Sequence, residues 1–146
     1  MDANLFPTTT LPIRVYYEDT DAGGVVYYAN YAKYLERGRT EWLRAQGLQH
    51  TTLAAQTQCA FVVTRLSLQY RTPARLDDLL TVHTSIQHVG KASLTFAQSV
   101  RREAHVLCDG IVQVACVHAQ TFRPMALPAS IRGKRPIAPR PDDTSS

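Results

Sequence analysis

The chain has 146 residues, 45% hydrophobic and 19% charged, with a formal net charge of +4. Those are the values of one globular domain that buries a core without staples. No stretch approaches the roughly 20 apolar residues of a membrane-spanning helix, and the opening MDANLFPTTTLP carries neither the basic start nor the apolar run of a signal peptide. Cys59, Cys108 and Cys116 have no metal-ligand spacing, which predicts reduced, buried thiols in a cytoplasmic protein.

In chain order, residues 1–11 read as a flexible arm, 12–128 as the folded domain and 129–146 as a disordered, basic, proline-rich tail. Residues 14–17 are short, β-branched and aromatic, a strand end, and run into the loop Glu18-Asp19-Thr20-Asp21-Ala22-Gly23-Gly24. The two glycines permit positive φ and close backbone approach. A helix starts near Ala29 or Asn30; Tyr31, Tyr34, Leu35, Gly38, Trp42 and Ala45 give it one apolar face, and Gly47 stops it. Residues 48–58 read as an irregular link. Residues 60–70 alternate as a strand, with Val62, Leu66, Leu68 and Tyr70 on one side and Arg65, Ser67 and Gln69 on the other. The segment 72–78 breaks it; strands follow at 79–87 and 94–101. Asp109-Gly110 is a hairpin signal, and a final strand with Val112, Val114 and Cys116 on one face ends near Phe122. One long helix followed by four alternating strands requires the sheet to wrap the helix, since both apolar faces need a partner.

The loop before the helix concentrates the chemistry. A helix start presents free N–H groups and the positive end of the macrodipole, so it favours a developing oxyanion. Asp21 precedes that start by a few residues and can serve acyl transfer as nucleophile or as general base on water. The bland alternative is turn chemistry, the usual role of aspartate beside Gly-Gly, and Asp19 keeps that role. A calcium loop fails: Asn30 stands where the bidentate glutamate belongs and Gly23 at a ligand position. A phosphate cradle lacks the P-loop lysine. The five histidines, His50, His83, His88, His105 and His118, are dispersed, and G-x-S-x-G is absent, so neither metal nor serine chemistry is expected.

The run Y-E-D-T-D-A-G-G-V-V-Y-Y-A-N-Y, followed by L-E-R-G-R-T-E-W-L, F-V-V and P-A-R-L-D-D, resembles the hotdog-fold acyl-CoA thioesterases of the YbgC and 4-hydroxybenzoyl-CoA type, from about Ile13 to about Pro128. The resemblance implies an α+β fold, an antiparallel sheet wrapped around one long central helix. It places the catalytic role on Asp21 and the backbone oxyanion donor on Tyr28, with Tyr17 beside them. Many members carry histidine where this chain has Tyr28. Gly24 and Val25 fall at substrate-contacting loop positions, and Lys91 and Arg123 at positions that hold nucleotide phosphates. The resemblance also puts a turn near residues 103–105, leaving Gly110 as a bulge in the last strand. No cofactor is implied, because coenzyme A is part of the substrate. The implied assembly is a homodimer or homotetramer with sites at the interface. Other readings are an acyl carrier protein hydrolase or acyl-transfer partner, and a non-catalytic acyl-CoA-binding scaffold associated with the Tol-Pal envelope system. The basic tail has no aromatics to stack bases, so no nucleic acid is expected.

Overall fold

The computed structural model describes residues 7–47 and 58–132. Five strands, β1 (Thr9–Arg14), β2 (Cys59–Tyr70), β3 (Leu79–Val89), β4 (Ser93–Arg102) and β5 (His105–His118), form one antiparallel sheet in the order β1-β3-β4-β5-β2. Helix α1 (Ala29–Ala45) packs on one face, which is the hotdog arrangement, and a short helix α2 (Ala129–Arg132) closes the described chain.

The apolar spacing of α1 buries Tyr31, Tyr34, Leu35, Gly38, Trp42 and Leu43; Ala45 stays exposed and Leu43 takes its place. Gly47 ends the helix at φ 79°, as a left-handed stop requires. Beneath α1 lie the inward residues of the central strands, Leu80, Val82 and Ile86, then Leu94, Phe96 and Val100, then Val112, Val114 and Cys116. Trp42 meets Phe96 edge to face, ring centroids 5.3 Å apart. Gly38 lets the helix come close: a Cβ there would stand 2.7 Å from Val82 Cγ1 and 2.8 Å from Thr84 Oγ1.

Several expected boundaries move. Residues 15–17 are not strand; β1 ends at Arg14 and a single 3-10 turn covers Tyr17–Asp19. The sheet begins at Thr9, paired with Thr84, so the folded domain starts before residue 12. It also extends past 128, because Ile131 is fully buried in the core; the rest of the expected tail and the link at 48–57 lie outside the described residues. Along β2 a bulge falls between Val63 and Arg65. It reverses the alternation, so Val63, paired with Val114, shares the inner face with Leu66 and Leu68, while Val62, paired with Ala115, points the other way.

The turn at Glu103 and Ala104 is where expected, but Gly110 is no bulge. It pairs regularly with Leu68 and Gln98, and the irregularity falls between Val100 and Arg101, opposite Leu107. Gly110 instead makes room for β2: a Cβ would meet Ser67 O and Leu68 Cδ2. The last strand stops at His118, and Phe122 sits in a turn at φ 59°. Nor are all three cysteines thiols. Cys59 and Cys116 pair as a disulfide, Cα atoms 6.3 Å apart, and Cys108 alone is free.

Candidate active site

The loop between β1 and α1 folds back on itself as a small hairpin. Thr20 bridges Val26, Asp21 N–H donates to Val25 O at 2.9 Å, and Gly24 N–H donates to Asp21 O at 3.0 Å with Gly24 at φ 78°. Asp21 Oδ1 accepts the Gly23 N–H at 2.8 Å. That Asx-type bond fixes the carboxyl plane through one oxygen and leaves Oδ2 without a partner among the described residues. The carboxyl is exposed.

The loop is fastened on two sides. Val26 N–H donates to Ala74 O at 2.8 Å, Val25 bridges Arg75, and Leu76 N–H reaches Gly24 O. The backbone of Gly24 and Val25 is thus committed to loop structure as well as lying beside Asp21. Asp19, the second carboxylate, is architectural: Oδ2 accepts Tyr16 N–H at 2.9 Å and its carbonyl accepts Tyr27 N–H and the Asn30 side chain. Its carboxylate also faces the buried Tyr34 hydroxyl without closing a hydrogen bond of good geometry. Burial first, and Asp19 second, push the Tyr34 pKa up.

At the start of α1 the backbone donors divide. Tyr27 N–H is used by Asp19 O, Asn30 N–H by Tyr27 O and Tyr31 N–H by Tyr28 O. Tyr28, the N-cap at φ −56° and ψ −33°, has an N–H with no acceptor among the described residues. Its ring is 61% exposed and stacks at a tilt on Tyr27, centroids 4.6 Å apart, and edge-on to Tyr70 at 6.2 Å. The neighbouring Tyr28 side chain raises the Tyr27 pKa.

Tyr17 is not drawn into this group. It is 81% exposed, makes no hydrogen bond to Asp21 and borders a groove with Tyr16, Leu76 and Asp77. Lys91 and Arg123 are farther still. Lys91 O accepts Leu127 N–H and Arg123 O accepts His118 N–H, at the end of the sheet where β4 starts and β5 stops. The Asp21 loop docks at the opposite end, where β3 starts. With ten residues in β4, the two ends stand roughly 30 Å apart at about 3.3 Å per residue.

Sequence reasoning missed the support beneath the loop. The buried Tyr31 hydroxyl accepts Ala74 N–H at 3.0 Å, and Asp78 ties the 74–76 segment down through Arg75 N–H at 2.9 Å and Arg102 at 2.7 Å. Burial pushes the Asp78 pKa up, but the Arg75 N–H and the Arg102 guanidinium outweigh it and hold it below the usual carboxylate value. Tyr31 carried only the signature of a core residue, and nothing linked Asp78 to Arg102. The free thiol does not compete for a catalytic role: burial first, then Asp109, raise the Cys108 pKa to about 11, leaving it protonated. Among the described residues no group of histidine, cysteine and carboxylate side chains is placed to hold a metal, and no helix is long and apolar enough to cross a membrane.

A five-stranded antiparallel sheet packed against one helix is the hotdog fold of the thioesterases. Residues 23–108 match the thioesterase superfamily. The acyl-CoA thioesterase YbgC of Haemophilus influenzae is 45% identical over 123 residues, 84% of this chain and 90% of that protein. The long-chain acyl-CoA thioesterase FadM of Escherichia coli K12 is 30% identical, covering 86% and 94%. A probable thioesterase from Bartonella henselae superposes with a TM-score of 0.80 at 34% identity, over 84% of this chain and all of that one. The chain belongs to the thioesterase superfamily and, within it, to the YbgC and 4-hydroxybenzoyl-CoA thioesterase family.

Proposed function

We propose that the protein hydrolyses acyl-CoA thioesters to the free acid and coenzyme A. The observation that carries this reading is the unshared Tyr28 N–H at the start of α1, on the same folded loop that orients Asp21. In the reaction the thioester carbonyl accepts a hydrogen bond from Tyr28 N–H, aided by the helix dipole. Asp21 Oδ2 then either attacks the carbonyl carbon, giving an anhydride that water opens, or takes a proton from water as water attacks. In both cases the C–S bond breaks and coenzyme A leaves as the thiol. The YbgC and FadM names of the relatives support acyl-CoA as the substrate.

The working unit is a dimer joined through β2. Among the described residues that strand is an unpaired edge of twelve residues, and its exposed Val63, Leu66 and Tyr70 are unusual for an edge facing water. Antiparallel pairing of two β2 edges sets the Cys59 end of one against the Tyr70 end of the other. Lys91 and Arg123 of the partner subunit then lie on the side of Tyr28, which is how a site split over about 30 Å in one protomer becomes one site. Their charges suit the phosphates of coenzyme A.

A panel of acyl-CoA substrates with thiol release as readout tests the reaction, with Asp21→Asn beside the native protein. Asparagine keeps an oxygen for the Gly23 N–H but can neither attack nor take a proton. Turnover should vanish while circular dichroism stays native; native-like turnover in folded Asp21→Asn removes Asp21 from the chemistry.

A further inference from the structure

The inner face of the sheet carries a polar side chain in the middle of its apolar rows. Gln98 on β4 is 4% exposed and fully committed: Nε2 donates to Leu35 O at 2.9 Å and to Thr84 Oγ1 at 2.8 Å, and Oε1 accepts Arg39 Nη1 at 3.0 Å. Its amide lies 3.1 Å from where a Cβ on Gly38 would stand, so the missing side chain of Gly38 makes the space that Gln98 uses. The outcome is a half-buried guanidinium held against the sheet. Arg39 forms no ion pair among the described residues, and one of its five N–H donors is matched.

Arg39 lines a cavity of about 220 Å³ between α1 and the β2 side of the sheet. Leu43, Phe61, Phe96 and Val114 supply its apolar walls, and Glu36 and Thr40 line it from the helix. A half-buried cation with spare donors beside apolar walls is compensated only in part by the exposed Glu36 one turn away, so an entering anion gains by pairing with it, and a carboxylate matches the guanidinium fork through two parallel hydrogen bonds. Glu36 is exposed, so water screens its repulsion of such a guest. Tyr28 and Arg39 are eleven positions apart on one helix, about 16 Å at 1.5 Å per residue, and the Arg39 side chain leans back toward the helix start. An extended acyl chain laid along α1 spans what remains.

We infer that this cavity takes the far end of the acyl group and that Arg39 selects acyl chains ending in a carboxylate, the half-thioesters of dicarboxylic acids. The inference rests on the acyl-CoA reading and narrows it. A methyl end fills the apolar walls but leaves the guanidinium unmatched; a carboxylate end satisfies it.

The test compares kcat/KM for suberyl-CoA and octanoyl-CoA, which differ only at the chain end, in the native protein and in Arg39→Gln and Arg39→Lys. The native enzyme should favour suberyl-CoA, mainly through KM. The suberyl-to-octanoyl ratio should fall about ten- to a hundredfold in Arg39→Gln, the loss of a charge-assisted contact, and less in Arg39→Lys, which keeps charge without the fork. A native ratio at or below one overturns the inference while leaving thioester hydrolysis standing, and this needs no variant to fold. Hydrolysis of neither substrate overturns the inference, and the acyl-CoA panel then decides the reading beneath it. A ratio unchanged in Arg39→Gln, with the dimer dissociating in sedimentation, overturns it in favour of an Arg39 pair with Glu36 of the partner subunit.

Discussion

Proline at position 28 separates a backbone donor from a side chain. Tyr28 has φ −56°, within the range that a proline ring imposes, and its N–H bonds to nothing among the described residues. Tyr28→Pro therefore deletes no backbone hydrogen bond, and the Tyr27 N–H bond to Asp19 O remains. The ring of Tyr28 is 61% exposed, so losing it empties no core space. What disappears is the proposed oxyanion donor, an expected loss of about 3–4 kcal/mol in transition-state stabilisation, or about a hundred- to a thousandfold in kcat. Tyr28→Phe keeps the amide and the ring and should retain most of the activity. Steady-state thiol release with circular dichroism and a thermal melt on each variant makes the measurement. If Tyr28→Phe falls as far as Tyr28→Pro, the hydroxyl is the active group and the backbone account is wrong. If folded Tyr28→Pro turns over normally, the carbonyl is polarised elsewhere.

Leu66→Lys places a charge on the exposed inner side of the β2 edge and should yield a folded monomer with little activity; an active monomer in sedimentation would dissolve the case for a shared site. The folded Asp78 pKa lies below its unfolded value, so its contribution to stability is present above the unfolded pKa of about 3.9 and is lost as pH falls through the folded value. The stability gap between the native protein and Arg102→Met in urea titrations should accordingly be constant near neutral pH and shrink below about pH 4; a gap that widens in acid contradicts the pairing. Truncation after Ile131 should leave melting and activity unchanged, whereas truncation after Pro128 removes a fully buried isoleucine and should lower stability by about 2–4 kcal/mol; equal melting temperatures would show that Ile131 does not contribute.

The Asp21 loop and α1 were legible because local rules govern them: a double glycine, an apolar face in steps of three and four, and a glycine stop. The sheet was legible in number and sequence position of strands but not in every face. A bulge such as the one at Val63 and Arg65 has no residue signature, yet it reverses the assignment of Val62. Gly110 looked like irregularity and proved to be clearance for Leu68, a demand made by a neighbouring strand. Tyr31 could be recognised as core from spacing, while its hydrogen bond to Ala74 could not, since that partner is 43 positions away. Tyr17, Lys91 and Arg123 came from resemblance, and in one protomer nothing draws them toward Asp21. In the proposed dimer the placement of Lys91 and Arg123 depends on how copies meet, and a single chain encodes that only indirectly.

Gly38 also acts as a depth gauge for the reaction centre. It lies ten positions from Tyr28 along α1, about 15 Å away at 1.5 Å per residue, and it touches no proposed substrate atom. A methyl group there would bear on Val82 and Thr84 and lift α1 from the sheet by some tenths of an ångström. Carried along the helix, that lift would pull against the bonds that tie its first turn to the loop, Asp19 O to Tyr27 N–H and to the Asn30 side chain, and Tyr31 to Ala74. The position of the helix-start amide would shift by a part of the roughly 1 Å misplacement that can slow an enzyme about a hundredfold. The seat of the proposed oxyanion donor thus depends on a residue that touches no proposed substrate atom, and tolerance at position 38 should follow side-chain volume alone.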